Sequence, residues 1–127
     1  MSMNGLSQSL YRDIRAKTAS YQCLPGDCEV LFTTRGAGGA VTFTLPVTAD
    51  IPAGWWAEFF NVADQDMIVA TPAVDTGVAF NDAAADSVAF STAAEQIGGG
   101  MRCVWDGTGW LYFINLGAET QTPTVAT

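Results

Sequence analysis

The sequence predicts an all-β fold: a single-domain antiparallel β-sandwich or partly open barrel of about eight short strands, with extended N- and C-terminal arms. Three observations predict it. Short runs of β-branched and aromatic residues recur along the chain, Gly, Pro, Asn and Asp separate them at intervals of about 8–12 residues, and several runs alternate apolar with polar residues. A chain of 127 residues also has room for one domain with its own hydrophobic core.

We divide the chain into an N-terminal arm (residues 1–19), a β-domain (residues 20–116) and a C-terminal tail (residues 117–127). In the arm, Leu6, Leu10 and Ile14 recur at four-residue spacing, which permits a short helix with one weakly apolar stripe. An arm that docks onto a neighbour is an equally good interpretation. The tail has the composition of turns and is expected to fray or to reach a neighbour.

The first half of the β-domain begins with a predicted hairpin. Residues 20–24 and 29–34 are its strands, and the Pro-Gly-Asp sequence at 25–27 is its turn. Residues 41–45 alternate strictly between apolar and polar, so every second side chain is expected to be buried. Pro46 ends this strand because it lacks a backbone N–H.

The segment 55–62 is apolar on both sides. One face carries Trp55, Ala57 and Phe59, and the other carries Trp56, Glu58, Phe60 and Val62. A strand of this kind lies in the middle of a sandwich or between the core and a subunit interface. We predict an oligomer interface that includes Trp55, Trp56, Phe59, Phe60 and Val62.

The remaining strands are shorter until the last hairpin. Residues 66–70, 78–80 and 87–90 are strand candidates between turns rich in Asn, Asp, Ala and Pro. Residues 101–105 and 110–116 are predicted to pair as a hairpin, because the Asp-Gly sequence between them supplies the positive φ of a tight turn.

The charge of the chain excludes several classes of partner. Asp and Glu number 13 against 5 Lys and Arg, for a net charge of −8. A chain this acidic repels phosphate backbones and anionic lipid headgroups, so we expect neither nucleic acid nor membrane as a partner. The first 20 residues lack the pattern of a secretion signal, and we expect folding in a cytoplasm.

The residue types needed for catalysis are scarce. Histidine is absent, which removes the commonest general base and the usual triads and metal sites. Cys23, Cys28 and Cys103 are interpreted as free thiols packed as small hydrophobes. A catalytic Cys28 would need a base and a positive charge beside it, whereas its sequence neighbours are Asp27 and Glu29.

Two pairs of carboxylates are the only other candidates for chemistry. The pairs Asp64/Asp66 and Asp82/Asp86 have residue types suited to hydrolysis or to calcium binding. We interpret them as turn and surface residues. The sequence therefore predicts no catalytic, cofactor-binding or metal-binding residues, and no enzyme.

Aromatic residues offer one binding alternative. Trp55, Trp56, Trp105, Trp110 and Tyr112 are suited to an aromatic platform that stacks on sugars. Because they lie inside predicted strands and not on loops, core or subunit-interface positions are the better interpretation.

Three segments of the β-domain resemble a β-rich module that recurs in small structural proteins and fibre segments of tailed bacteriophages. They are residues 39–46 (GAVTFTLP), 81–90 (NDAAADSVAF) and 106–110 (DGTGW). The similarity spans residues 20–116, with the Ser-Tyr strand, the Pro-Gly-Asp turn and the Thr-Arg-Gly-Ala loop in matching order.

The resemblance implies a virion structural protein that assembles as a homotrimer or larger oligomer and has no catalytic residues. One expectation is a capsid decoration (cement) protein that self-associates and stabilises the head shell. The alternative is a tail or head fibre module that binds a host-surface glycan. A fibre needs a shaft and a tip beyond one module, so the length favours decoration.

On this reading the partners are other copies of the chain and the major capsid protein of the same phage. The expected location is the capsid exterior, after synthesis in the cytoplasm of the bacterial host. The arm carries Arg12, Arg15 and Lys17, and we predict that these residues contact an acidic outer surface of the shell.

Overall fold

The structure is a computed structural model that describes residues 12–127, in which two β-sheets pack face to face. The predicted all-β sandwich is confirmed. The strands of the described residues are β1 (Ile14–Ala16), β2 (Tyr21–Gln22), β3 (Leu31–Thr33), β4 (Val41–Thr44), β5 (Trp56–Phe60), β6 (Met67–Ala70), β7 (Gly77–Ala79), β8 (Asp82–Ala85), β9 (Ser87–Phe90), β10 (Gly100–Trp105), β11 (Trp110–Asn115) and β12 (Thr124–Ala126). Two short 3-10 helices span Pro25–Asp27 and Thr48–Asp50. Neither they nor any other part of residues 12–127 forms a helix long and apolar enough to cross a membrane.

Both sheets are mixed. The large sheet has seven strands in the order β1-β3-β5-β10-β11-β7-β8, and the small sheet has five in the order β12-β9-β6-β4-β2. Up to β6 the chain places successive strands in alternate sheets. Between two successive strands of one sheet the chain forms one strand of the other sheet, which runs the opposite way. Successive strands of the same sheet therefore point in the same direction: β1, β3 and β5 are parallel, as are β2, β4 and β6. The predicted antiparallel pairing is therefore wrong for this half of the chain and holds for β5-β10-β11 and β6-β9-β12.

The two predicted hairpins have different outcomes. β10 and β11 pair from Gly100 opposite Asn115 to Trp105 opposite Trp110, which confirms the last hairpin. Its turn is held by the Asp106 carboxylate, which accepts two backbone N–H groups within the turn at 2.8 Å each. The prediction of the first hairpin is wrong, because β2 belongs to the small sheet and β3 to the large sheet. The 3-10 helix between them carries the chain across the sandwich.

Both segments predicted as extended arms contain edge strands instead. β1 lies within residues 1–19 and pairs with β3, while β12 lies within residues 117–127 and pairs with β9. Backbone hydrogen bonds to an open sheet edge hold such strands, and their side chains stay largely exposed, so no alternation of apolar residues reveals them. Leu6 and Leu10 of the possible short helix lie outside the described residues.

The hydrophobic core lies between the two sheets. The alternation predicted for β4 is confirmed, because Val41, Phe43 and Leu45 are fully buried. Phe32, Phe43 and Phe59 meet across the sandwich with ring centroids 5.5, 5.5 and 5.0 Å apart. Burying one such side chain contributes roughly 1.5–3 kcal/mol. The core thus provides a rigid support for the faces of both sheets.

A buried polar pair joins the loops at one end of the sandwich. Thr34 Oγ1 donates to Asn61 Oδ1 at 2.6 Å, and Asn61 Nδ2 donates to the carbonyl oxygens of Gln65 and Gln96 at 2.9 and 3.0 Å. Thr34 Oγ1 in turn accepts the backbone N–H of Val62 at 2.9 Å. These bonds connect the chain after β3, β5 and β9, and they satisfy polar groups that water does not reach.

Candidate interaction surface

The outward-facing sides of the two sheets differ in chemistry. The small sheet presents mainly short or β-branched side chains, including Thr42, Thr44, Ile68, Ala70 and Ser87. The large sheet presents aromatic, aliphatic and charged side chains. We call this second surface the outer face, and it comprises Ile14, Leu31, Trp56, Glu58, Phe60, Val78, Arg102, Val104, Leu111, Phe113 and Asn115.

Strand register places these side chains in rows across the sheet. Glu58 lies opposite Arg102, which lies opposite Phe113 on the next strand. On the other side Leu31 lies beside Glu58, and Ile14 lies beside Leu31. Because alternate residues of a strand point to the same side, all five belong to one surface. A second row consists of Trp56, Val104, Leu111 and Val78.

Arg12, Glu58 and Arg102 form an ion cluster over Trp56 in the middle of the outer face. Glu58 Oε1 accepts a hydrogen bond from Arg12, and Glu58 Oε2 accepts one from Arg102 Nε at 3.1 Å. The guanidinium carbons of Arg12 and Arg102 lie 5.1 and 4.7 Å from the ring centroid of Trp56, within the range of cation–π attraction. Two cations and one carboxylate give this cluster a net positive charge, although the chain as a whole carries −8.

The ionisation of Glu58 follows from these contacts. Burial raises its pKa, whereas the hydrogen bonds from Arg12 and Arg102 lower it, and the net effect holds the pKa of Glu58 below its usual value. The carboxylate is therefore charged at neutral pH. The cluster keeps both arginine side chains over Trp56 in a defined position.

Exposed apolar side chains are concentrated on or beside the outer face. Ten large hydrophobic side chains are exposed within residues 12–127, and five of them lie on or beside this face. They are Ile14, Phe60, Val78, Phe80 and Phe113. An apolar surface concentrated in this way is typical of a protein contact.

Two open grooves cross the outer face. The larger has a volume of about 380 Å³ and is lined by Glu58, Arg102, Val104, Leu111, Phe113 and Asn115. The smaller, about 230 Å³, lies around Phe60 and shares Glu58 and Asn115 with the first. Apolar side chains line both grooves, with Glu58 in each and Arg102 in the larger.

The predicted interface residues of the segment 55–62 separate into two groups. Trp55 and Phe59 are only 3% and 1% exposed and belong to the core, so they do not lie on an interaction surface. Trp56 and Phe60 point to the outer face, and Val62 is half-buried just after the strand. The structure therefore retains only Trp56, Phe60 and Val62 as candidates for a contact with another subunit.

The basic residues predicted to contact a shell are engaged within the chain. Arg12 pairs with Glu58 and Arg15 with Asp27, while Lys17 Nζ lies 3.9 Å from the ring centroid of Tyr21. None of the three extends from the domain on an arm. Their contact with an acidic shell stays a prediction, and among them Arg12 lies on the outer face.

Asp27 organises the chain around the first 3-10 helix. Its carboxylate is buried and accepts hydrogen bonds from Arg15 Nη1 and Tyr21 Oη, both at 2.7 Å, and from the backbone N–H of Leu24 at 2.8 Å. Burial, together with the hydrogen bond to Asp27, raises the pKa of Tyr21 to about 12. These contacts anchor the segment between β1 and β3 and engage both oxygens of the Asp27 carboxylate.

The candidate groups for chemistry are dispersed. Within residues 12–127 no three acidic or thiol side chains are grouped to hold a metal ion. Asp66 accepts a hydrogen bond from Gln96, and Asp82 accepts the backbone N–H of Ala84 at 2.9 Å. These two carboxylates thus serve local structure.

The three thiols differ in exposure. Cys23 and Cys103 are buried free thiols, as predicted, whereas Cys28 is exposed and the prediction that it is buried is wrong. Burial raises the pKa of Cys23 to about 12 and raises that of Cys103 well above its usual value. The exposure of Cys28 follows from its place at the end of the 3-10 helix, outside both sheets.

The aromatic residues considered for sugar stacking lie mostly in the core. Trp105 and Trp110 have ring centroids 5.5 Å apart, and Trp55 meets Trp110 edge-on at 5.7 Å. Tyr112 is buried as well and donates to the carbonyl of Val69 at 3.2 Å. The core interpretation is confirmed for these four residues, and only Trp56 faces outward.

Sequence reasoning did not single out Arg102, Phe113, Val78 or Phe80. A signal was present for the first two, because residues 101–105 and 110–116 alternate and leave Arg102 and Phe113 on the outward side. No local signal joins them to Glu58, since that depends on β10 lying between β5 and β11.

The sequence matches no protein-family model and shows no significant similarity to a curated protein.

Proposed function

We propose that this chain is a virion structural protein of a tailed bacteriophage, a capsid decoration (cement) protein that self-associates and stabilises the head shell through its outer face. The observation that carries the proposal is that face, with its exposed apolar side chains around an anchored ion cluster. The phage origin rests on the resemblance of residues 20–116 to structural modules of tailed phages.

A decoration protein needs a rigid domain and a surface suited to a large partner. The aromatic core supplies rigidity, and the outer face supplies apolar area with fixed donors. Arg12 and Arg102 retain exposed guanidinium groups, which suit an acidic patch on a shell. Under this proposal the partners are copies of this chain and the major capsid protein.

The alternative, a fibre module that binds a host-surface glycan, has weaker support. Trp55, Trp105, Trp110 and Tyr112 are buried and offer no stacking platform. Trp56 is half-buried beneath two arginines. Glycan binding by the isolated protein on an array, combined with no affinity for capsids, would favour this alternative.

The test is binding to capsids of the phage that encodes the chain. Purified protein is mixed with expanded, mature capsids, and co-sedimentation and the melting temperature of the capsid are measured. We expect binding that raises this temperature. Arg102→Glu should reduce binding, while Thr42→Glu on the small sheet should not. Unchanged melting together with no co-sedimentation would refute the proposal.

A further inference from the structure

The tip of the β7–β8 hairpin carries a phenylalanine, Phe80, whose φ is positive. Ala79 pairs with Asp82, so Phe80 and Asn81 form a two-residue turn. Both have positive φ, 42° and 66°, as tight hairpin turns require. Asn suits this conformation, whereas a bulky residue such as Phe is disfavoured by contact of its Cβ with the backbone.

No side chain within residues 12–127 compensates for this strain by burying the ring. Phe80 is 57% exposed and does not line the larger groove of its own outer face. A strained backbone that holds an aromatic ring in solvent favours a role for that ring in contact with another molecule. Val78, also exposed, extends the apolar surface of the same hairpin toward Phe80.

The outer face provides a complementary position. Val104, Leu111 and Phe113 form apolar walls of the groove of about 380 Å³, a volume that accommodates an aromatic ring. The charges are complementary as well. The groove adjoins the positive ion cluster, while the hairpin and the turn after it carry Asp82 and Asp86 and no cation.

We propose that Phe80 of one copy of this chain inserts into the groove of a second copy, between Val104, Leu111 and Phe113. This inference rests on the proposed function in one respect, self-association. It adds the side chains through which two copies meet. β8 is an edge strand of the large sheet, so the hairpin is accessible to a neighbouring copy.

The test uses two variants that each remove one half of the contact. Phe80→Asn removes the ring and suits the turn, so its fold is not at risk. Leu111→Glu places a charge in the groove. Molar mass is measured by sedimentation across a range of concentrations, with Val74→Asn, a substitution at a fully exposed loop position, as the matched control.

We expect the unaltered chain and Val74→Asn to self-associate equally, and each test variant to weaken the association at least about tenfold. A mixture of the two variants retains one intact contact per pair, so it should form a one-to-one heterodimer that neither variant forms alone. An unaltered chain that stays monomeric, or a Phe80→Asn variant that assembles normally, would overturn the inference. Capsid binding, measured separately, decides the proposed function in either case.

Discussion

Glu58 and Arg102 lie directly opposite each other on β5 and β10, and Arg102 Nε donates to Glu58 Oε2 at 3.1 Å. Arg12 reaches the other oxygen of the same carboxylate from the start of the described chain. The two arginines flank Trp56, which lies one row away. One carboxylate thus positions two cations on a surface that is otherwise largely apolar.

The first prediction concerns the pH dependence that Glu58 gives to stability. Its pKa in the folded protein lies below the ordinary value of 4.5, so its contribution to stability is present above pH 4.5 and is lost as the pH falls through the lower folded pKa. Glu58→Gln should cost about 1 kcal/mol or less at pH 7, because solvent screens both partly exposed arginines. Urea unfolding at pH 7 and pH 3 measures the difference between the two chains. A difference that is the same at both pH values would contradict the assignment.

The second prediction concerns the strain at Phe80. Phe80→Asn should stabilise the isolated domain by about 1 kcal/mol, because Asn tolerates the positive φ of the turn at lower cost. The control Val74→Asn, at a position where φ is not positive, should change the free energy of unfolding by less than about 0.5 kcal/mol. Thermal unfolding at a concentration low enough to suppress association checks both. A destabilised Phe80→Asn domain would show that the ring contributes to the fold of its own chain.

The third prediction concerns the buried polar pair. Asn61→Ala removes the partner of Thr34 and of two backbone carbonyls, and it should destabilise the domain by about 3 kcal/mol. Asn115→Ala, on the exposed outer face, is the matched control and should cost less than about 0.5 kcal/mol. Chemical denaturation compares the two variants. Equal losses of stability in the two variants would mean that the buried hydrogen bonds of Asn61 do not stabilise the domain.

The fourth prediction concerns the three thiols. Cys28 is exposed and should react rapidly with an aromatic disulfide reagent, whereas buried Cys23 and Cys103 should react only after denaturant is added. Titration should count one thiol in the native protein and three in the unfolded one. Cys28→Ser should abolish the rapid reaction. Rapid labelling that persists in this variant would place a second thiol at the surface.

The sequence by itself determined the fold class and much of the core. Strict alternation identified β4, and the Asp-Gly turn identified the β10–β11 hairpin, because both patterns depend on residues that are neighbours along the chain. The lack of histidine and the scattered thiols were likewise visible without coordinates. Trp55 and Phe59 were found as apolar positions, but the sequence left open whether they lie in the core or at a subunit interface.

Only the tertiary structure decided which strands share a sheet and in which direction they run. The chain crosses between sheets after each of its first five strands, and no local pattern records such a crossing. The same limit applies to the outer face. Glu58 and Arg102 meet because β5 pairs with β10, and Arg12 joins them because β1 lies at the edge of that sheet. Side-chain periodicity reports whether a residue is buried, whereas the identity of its neighbours depends on long-range pairing.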